Sequence, residues 1–166
     1  MQDDQLLLKL WKSQCLAKLK VLCWLLVNNR LNTKDMMQHK HWHIDDVHDC
    51  VLCTQGLLED LEHLFFSSAF ARDCWDDISV PWDFSEMVRQ RLELASHASN
   101  HPHFWEIFAS TAWSIWKERN DLIFNGVTPS MDNWRRRAKQ DFLLHQYRVK
   151  KPQIQQLTDY ADRCFN

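Results

Sequence analysis

Glycine occurs only twice in this chain of 166 residues, at Gly56 and Gly126, and proline only four times. Antiparallel sheets need frequent tight turns, and tight turns need Gly and Pro at positions of special backbone geometry. So sparse a supply predicts an all-α fold, helices joined by short connections. Hydrophobic residues make up 45% of the chain, enough to bury a real core and unlike a disordered composition.

The apolar periodicity agrees with helices. Leu7, Trp11, Cys15, Leu19, Leu22 and Leu26 recur at helical spacing and predict one amphipathic helix of about seven turns. Thr33 is placed to cap a second helix carrying Met36 and Met37. Residues 39–49, with His39, His41, His43 and His48, read as a polar loop or frayed helix. A short helical turn over 59–66 and a helix over 70–78 follow. Val80-Pro81 sets a boundary near residue 80, because the residue before proline is pushed out of the helical region. Ser85 is placed to cap a helix through about Ala95. Trp105, Phe108, Ala112, Ile115, Trp116 and Ile123 form another long stripe, stopped by Asn125-Gly126. Ser130 caps a helix with Trp134, Ala138 and Phe142, and Pro152 starts a last one with Ile154, Leu157 and Ala161. The expected organisation is a helical unit over 1–78 and a helical extension over 79–166.

Formal charge is −2, but it is unevenly spread. Residues 1–80 hold 8 Lys/Arg against 12 Asp/Glu, and residues 132–166 hold 8 against 4. Arg135, Arg136, Arg137 and Lys139 are the candidate nucleic-acid-binding strip, because cations along one helix can contact phosphates. The other reading of that strip is a solvated helix face. The acidic start lacks the basic n-region of a signal peptide, and the longest apolar run, 21–27, is too short to span a bilayer. An intracellular protein, nuclear or cytoplasmic, with its six cysteines reduced is the resulting expectation.

Cys50-Val-Leu-Cys53 is followed ten residues later by His63. Two cysteines two residues apart and a downstream histidine are the usual spelling of a structural zinc site. Gly56 suits a zinc-knuckle-like turn. A fourth ligand is not evident: Ser67 and Ser68 stand where one would be expected. Cys74 could substitute only if the chain turns near Ser67-Ser68, since on one continuous helix it would lie about 16 Å from His63. His48 could reach from the other side, and water could fill the position.

The segments Ala17-Lys-Leu-Lys-Val-Leu-Cys-Trp24, Arg30-Leu-Asn-Thr33, Trp42, Cys50-Val-Leu-Cys53, Glu59, His63-Leu-Phe-Phe66 and Ala71-Arg-Asp-Cys-Trp75 together resemble the zinc-binding domain of plant reverse-transcriptase-like proteins of LINE-type retrotransposons. Trp113-Ser-Ile-Trp116-Lys-Glu-Arg119-Asn120 is similar to the segment that follows this domain. The resemblance implies a zinc module with ligands Cys50, Cys53, His63 and a cysteine at the position of Ser68. With serine there, zinc binding is expected to be weak or lost. It also implies a role in handling RNA or DNA without catalysis.

Catalytic constellations are not marked. Asp45-Asp46 and Asp76-Asp77 are paired carboxylates, but no strand hairpin or third acid accompanies them as a two-metal polymerase site needs. Trp24, Trp75, Trp105 and Trp116 lie on apolar stripes and read as core, whereas Trp42 and Trp82 read as loop residues free to contact a partner. Arg119-Asn120 reads as a structural hydrogen-bonding pair. The expected function is a non-enzymatic, nucleic-acid-binding remnant. A protein–protein interaction module with a vestigial metal site, or a gene fragment without selected function, is the alternative.

Overall fold

The computed structural model describes residues 4–42, 48–99 and 101–166. Among them the fold is all-α. The helices are α1 (Gln5–Lys12), α2 (Ala17–Val27), α3 (Lys34–His39), α4 (Ala69–Asp77), α5 (Val88–Ala98), α6 (Phe104–Asn125), α7 (Met131–Leu143) and α8 (Lys151–Cys164). A π-helical turn over His63–Ser67 precedes α4, and a 3-10 turn over Leu144–Tyr147 precedes α8. No described helix is long and apolar enough to cross a membrane. Asp45-Asp46 and His43 lie outside the described residues.

Helix α6 is the axis of the molecule. It packs most extensively on α7 and also meets α2, α4 and the π-turn. Ser110, Thr111 and Ser114 are fully buried on it, and such small side chains let neighbouring backbones approach closely. The Ser114 hydroxyl donates to Trp134 O at 3.0 Å, and Trp134 Nε1 donates back to Thr111 O at 3.4 Å. The helix ends at Gly126, in the left-handed region at φ 65°, a conformation that costs glycine nothing. One contiguous core joins residues of the 1–78 segment, such as Leu19, Phe66 and Trp75, to those of the 79–166 segment, such as Phe108, Ile115 and Phe142.

Several local signals act as expected. Thr33 Oγ1 accepts from Met36 N at 3.3 Å and Ser130 Oγ from Asn133 N at 3.1 Å, each capping its helix. Pro152 lies in the first turn of α8. Other expectations are corrected. The long first stripe is two helices, broken at Ser13–Leu16, and Trp11 is 47% exposed. At the break, Gln14 N–H donates to Glu106 Oε1 of α6 at 2.7 Å, and Leu16 N–H donates to His145 Nε2 at 3.3 Å. Side chains brought by tertiary packing replace the helical acceptors, so the chain can bend while Cys15 stays fully buried. Ser85 caps no helix; it turns onto Asp83, and α5 begins later, after Met87. Trp82 is not a free loop residue. Its ring packs edge-on against Phe66, Trp75 and Phe108 at 5.2, 5.1 and 5.8 Å.

Candidate metal centre

The Cys-x-x-Cys turn is held by a tight backbone pairing. Cys50 N–H donates to Leu57 O at 2.7 Å and Glu59 N–H to His48 O at 3.0 Å, around an isolated bridge between Asp49 and Leu58. Gly56 sits inside this loop at φ 64°. Asp60 then starts the next turn by accepting from His63 N–H at 2.7 Å. The turn widens to π geometry and closes with Ser68 N–H donating to His63 O at 2.7 Å. Such single π-turns recur at functional sites. Here it buries Leu64, Phe65 and Phe66 completely and brings His63 back over the cysteine turn.

Cys50, Cys53 and His63 converge, their donor atoms all within 4.8 Å of one another. Cys53 Sγ lies 3.2 Å from His63 Nε2. A tetrahedral zinc ion with ordinary bond lengths sets its sulfur and nitrogen donors about 3.5–3.8 Å apart. Two thiols and an imidazole nitrogen at this spacing fit three corners of a zinc site. Burial, with the neighbouring Cys53 and Glu59 adding to it, pushes the Cys50 thiol up to about 12. A cation binding there would therefore displace a proton. When bound, zinc would tie the cysteine turn to the π-turn, a structural cross-link between 50–53 and 63.

The fourth position is not filled by the substitutes the sequence offers. Ser68 is fully buried, and its hydroxyl is engaged as the N-cap of α4, accepting from Ala71 N–H at 3.2 Å and donating to Leu64 O at 3.3 Å. Cys74 points elsewhere. It lies on the α7 side of α4, with Sγ 3.9 Å from Met131 Sδ, and burial pushes its thiol well up. The chain does turn at Ser68, yet α4 then runs unbroken through residue 74 and carries that side chain into the core. His48 is not a member of the converging group. Sequence reasoning missed Glu62 and the part Ser67 plays beside the histidine: Ser67 Oγ lies 3.2 Å from His63 Nδ1 and donates to Glu62 Oε2 at 2.8 Å. A carboxylate five residues before a serine, across a histidine, becomes a signal only once the turn is known to be π-helical.

The candidate cationic strip on α7 is largely engaged within the molecule. Arg135 makes a paired contact with Asp77 at 2.7 and 2.8 Å, and Asp132 adds a further pair. Arg137 donates to Asp121 at 2.8 Å and lies against Glu118. Lys139 pairs with Asp162 at 3.0 Å. Arg136 donates to Asn133 on its own helix. The strip thus pins α7 to α4, α6 and α8, with Asp77, Asp121 and Asp162 as its partners.

Residues 2–75 match the family model for zinc-binding in reverse transcriptase. That segment is a reverse-transcriptase zinc-binding domain. The Cys50–Cys53–His63 cluster and the π-turn lie within it. No curated protein and no solved structure matches the chain.

The part Ser68 plays in this zinc-binding domain can be tested by metal content after purification without chelator. The wild-type chain is expected to hold zinc substoichiometrically, and Ser68→Cys to raise occupancy toward about one ion per chain, since a third thiolate would supply the fourth ligand. The metal-free variant should lose about 1 kcal/mol as α4 loses its cap. Cys74→Ser should leave metal content unchanged. Equimolar zinc in the wild type, abolished by Cys74→Ser, would show the opposite assignment.

Proposed function

We propose that this chain is a non-enzymatic accessory module of a LINE-type retroelement reverse transcriptase, holding RNA or DNA against the face formed by α1–α3. One observation carries the reading. Residues 4–42 contain seven Lys/Arg and only two Asp, and among the described residues only Lys18 of those cations pairs with a carboxylate, Asp141 at 2.6 Å. Lys9, Lys12, Lys20, Arg30, Lys34 and Lys40 form no such pair among the described residues. This is the reverse of the α7 strip, whose charge is mostly neutralised by acids of the same chain.

The same segment carries aromatic rings. Lys20 of α2 reaches the Trp11 carbonyl at 2.7 Å, Trp24 follows one turn later, and the Arg30 guanidinium lies 5.4 Å over the Trp24 ring. Lys40 lies 5.0 Å over Trp42, which is 51% exposed. Cations that meet phosphates beside rings that can stack on bases are the two parts of a single-strand platform.

Fluorescence anisotropy of a labelled single-stranded oligonucleotide across a salt series tests this. Affinity should fall with salt, and removing one phosphate-binding cation should reduce the log–log slope by about 0.7. Lys20→Ala, Arg30→Ala and Lys40→Ala combined should therefore flatten the slope by about two, whereas Arg136→Ala should change little. Absence of binding at about 50 mM salt, where electrostatic association is strong, would sink the reading in favour of a protein-docking module.

A further inference from the structure

The metal ligand His63 is connected to a helix outside the family-matched segment. Arg91 of α5 is 3% exposed. Its Nε donates to Asp83 O, its Nη2 to Glu86 O and its Nη1 to Glu62 Oε1, each at 3.0 Å. Its guanidinium also lies 4.9 Å over Phe66 and 4.8 Å over Phe84. Two carbonyls, two ring faces and a carboxylate hold this group, so it is a fixed point rather than a mobile surface charge. It anchors one oxygen of Glu62, and the other accepts the Ser67 proton at 2.8 Å.

The proton count then decides the imidazole. A serine hydroxyl has one proton to donate, and Ser67 gives it to Glu62. Toward His63 Nδ1, 3.2 Å away, the Ser67 oxygen can only accept. Nδ1 therefore carries the ring hydrogen. Nε2 is left with a free lone pair, and it is the Nε2 edge that faces Cys53 Sγ.

We propose that Arg91, Glu62 and Ser67 are positioning residues that lock His63 as an Nε2 ligand, so that α5 of the helical extension helps to set the metal affinity of the zinc-binding domain. The inference rests on the metal reading of the Cys50–Cys53–His63 cluster. Outer partners of a ligating histidine fix its ring and tautomer, and their loss costs about 10–100-fold in metal affinity. The described residues supply three ligands, so each one's preorganisation carries more of the binding.

Two measurements test it. The first is competition titration of zinc against a chromophoric chelator. Ser67→Ala and Glu62→Gln should each weaken zinc by about 10–100-fold, and Ser67→Thr, which keeps the hydroxyl, should retain wild-type affinity. Arg91→Lys, checked for folding by circular dichroism, should weaken it within the same range, because ammonium cannot reproduce the fork. The second is 15N NMR of His63 in metal-free protein. The wild type should show hydrogen on Nδ1. In Glu62→Gln the side-chain amide can donate to Ser67, free the serine proton to turn toward Nδ1, and move the ring hydrogen to Nε2. Wild-type affinity in Ser67→Ala and Glu62→Gln would overturn the proposal, and unchanged affinity in Arg91→Lys would remove α5 from it. An Nε2–H ring in the wild type overturns the relay whatever the metal content. A protein that takes up no zinc yet shows Nδ1–H refutes the metal reading and leaves the relay standing.

Discussion

Trp75→Ala is expected to lower the unfolding free energy by about 3–5 kcal/mol, read as a fall in the urea midpoint. Trp75 is 1% exposed. Its ring stacks on Phe108 at 5.5 Å and Phe66 at 6.1 Å, and Trp82 meets it edge-on at 5.1 Å. Truncation would leave a cavity among side chains that cannot close it, because their own rings are fixed by one another. The loss also has a polar part. Trp75 Nε1 donates to Phe65 O at 2.7 Å, a carbonyl in the π-turn that holds His63. Without the indole that buried acceptor is left without its partner, at about 1–3 kcal/mol. Trp75→Phe separates the contributions: it keeps most of the packing and should cost about 1–3 kcal/mol. A single domain has about 5–15 kcal/mol in total, so the alanine variant should approach the edge of folding. A loss below about 1 kcal/mol would contradict the burial and hydrogen bonding just described. Because Phe65 and Phe66 lie in the same π-turn as His63, the alanine variant should also bind zinc less tightly than Trp75→Phe.

Glu59→Gln is the second large effect, about 3–5 kcal/mol. Glu59 is fully buried, and Arg119 is 2% exposed. Glu59 Oε1 receives both Nε and Nη2 of Arg119, at 3.1 and 2.5 Å, and also Lys34 N–H at the start of α3 at 3.1 Å. Arg119 is further fixed by Asn120 Oδ1 at 2.9 Å and by the Trp116 ring at 4.9 Å. One carboxylate thus joins the loop beyond the cysteine turn, the first turn of α3 and the middle of α6. Neutralising it leaves a guanidinium buried without a counter-charge, which costs far more than the pair itself contributes. A Glu59→Gln, Arg119→Met double variant should therefore recover a large part of the loss. Additive losses in the double variant, from paired urea titrations, would show that the two residues act independently.

The two variants mark how far the sequence alone can be read. Arg119-Asn120 is recognisable as a hydrogen-bonding pair, and Cys50, Cys53 and His63 as a cluster, because their meaning is carried by short spacing. The same holds for Thr33, Ser130, Gly126 and Pro152, whose effects act within one helical turn. The break between α1 and α2 is not legible, because Leu7, Leu19 and Leu26 keep one periodic stripe across it while the acceptors that permit the bend, Glu106 and His145, lie 92 and 129 residues beyond the amides they bind. Trp82 follows a proline in an irregular segment and looks free, yet the aromatic cluster that receives its ring is assembled from α4, α6 and the π-turn.

Charge shows the division most clearly. Arg135-Arg136-Arg137 is the densest run of cations in the chain, and density is all that a sequence displays. Which carboxylate faces which cation depends on helix packing, and packing gives Arg135 to Asp77, Arg137 to Asp121 and Lys139 to Asp162. The all-α class, the caps at Thr33 and Ser130 and the candidate cluster Cys50, Cys53 and His63 were determined by the sequence itself, since composition, periodicity and local spacing are properties of the chain. The engagement of Ser68 and Cys74 away from the cluster and the Arg91–Glu62–Ser67 link to His63 were decided only by the tertiary structure. Each depends on where a side chain points after distant helices have packed, and no local interaction specifies that direction.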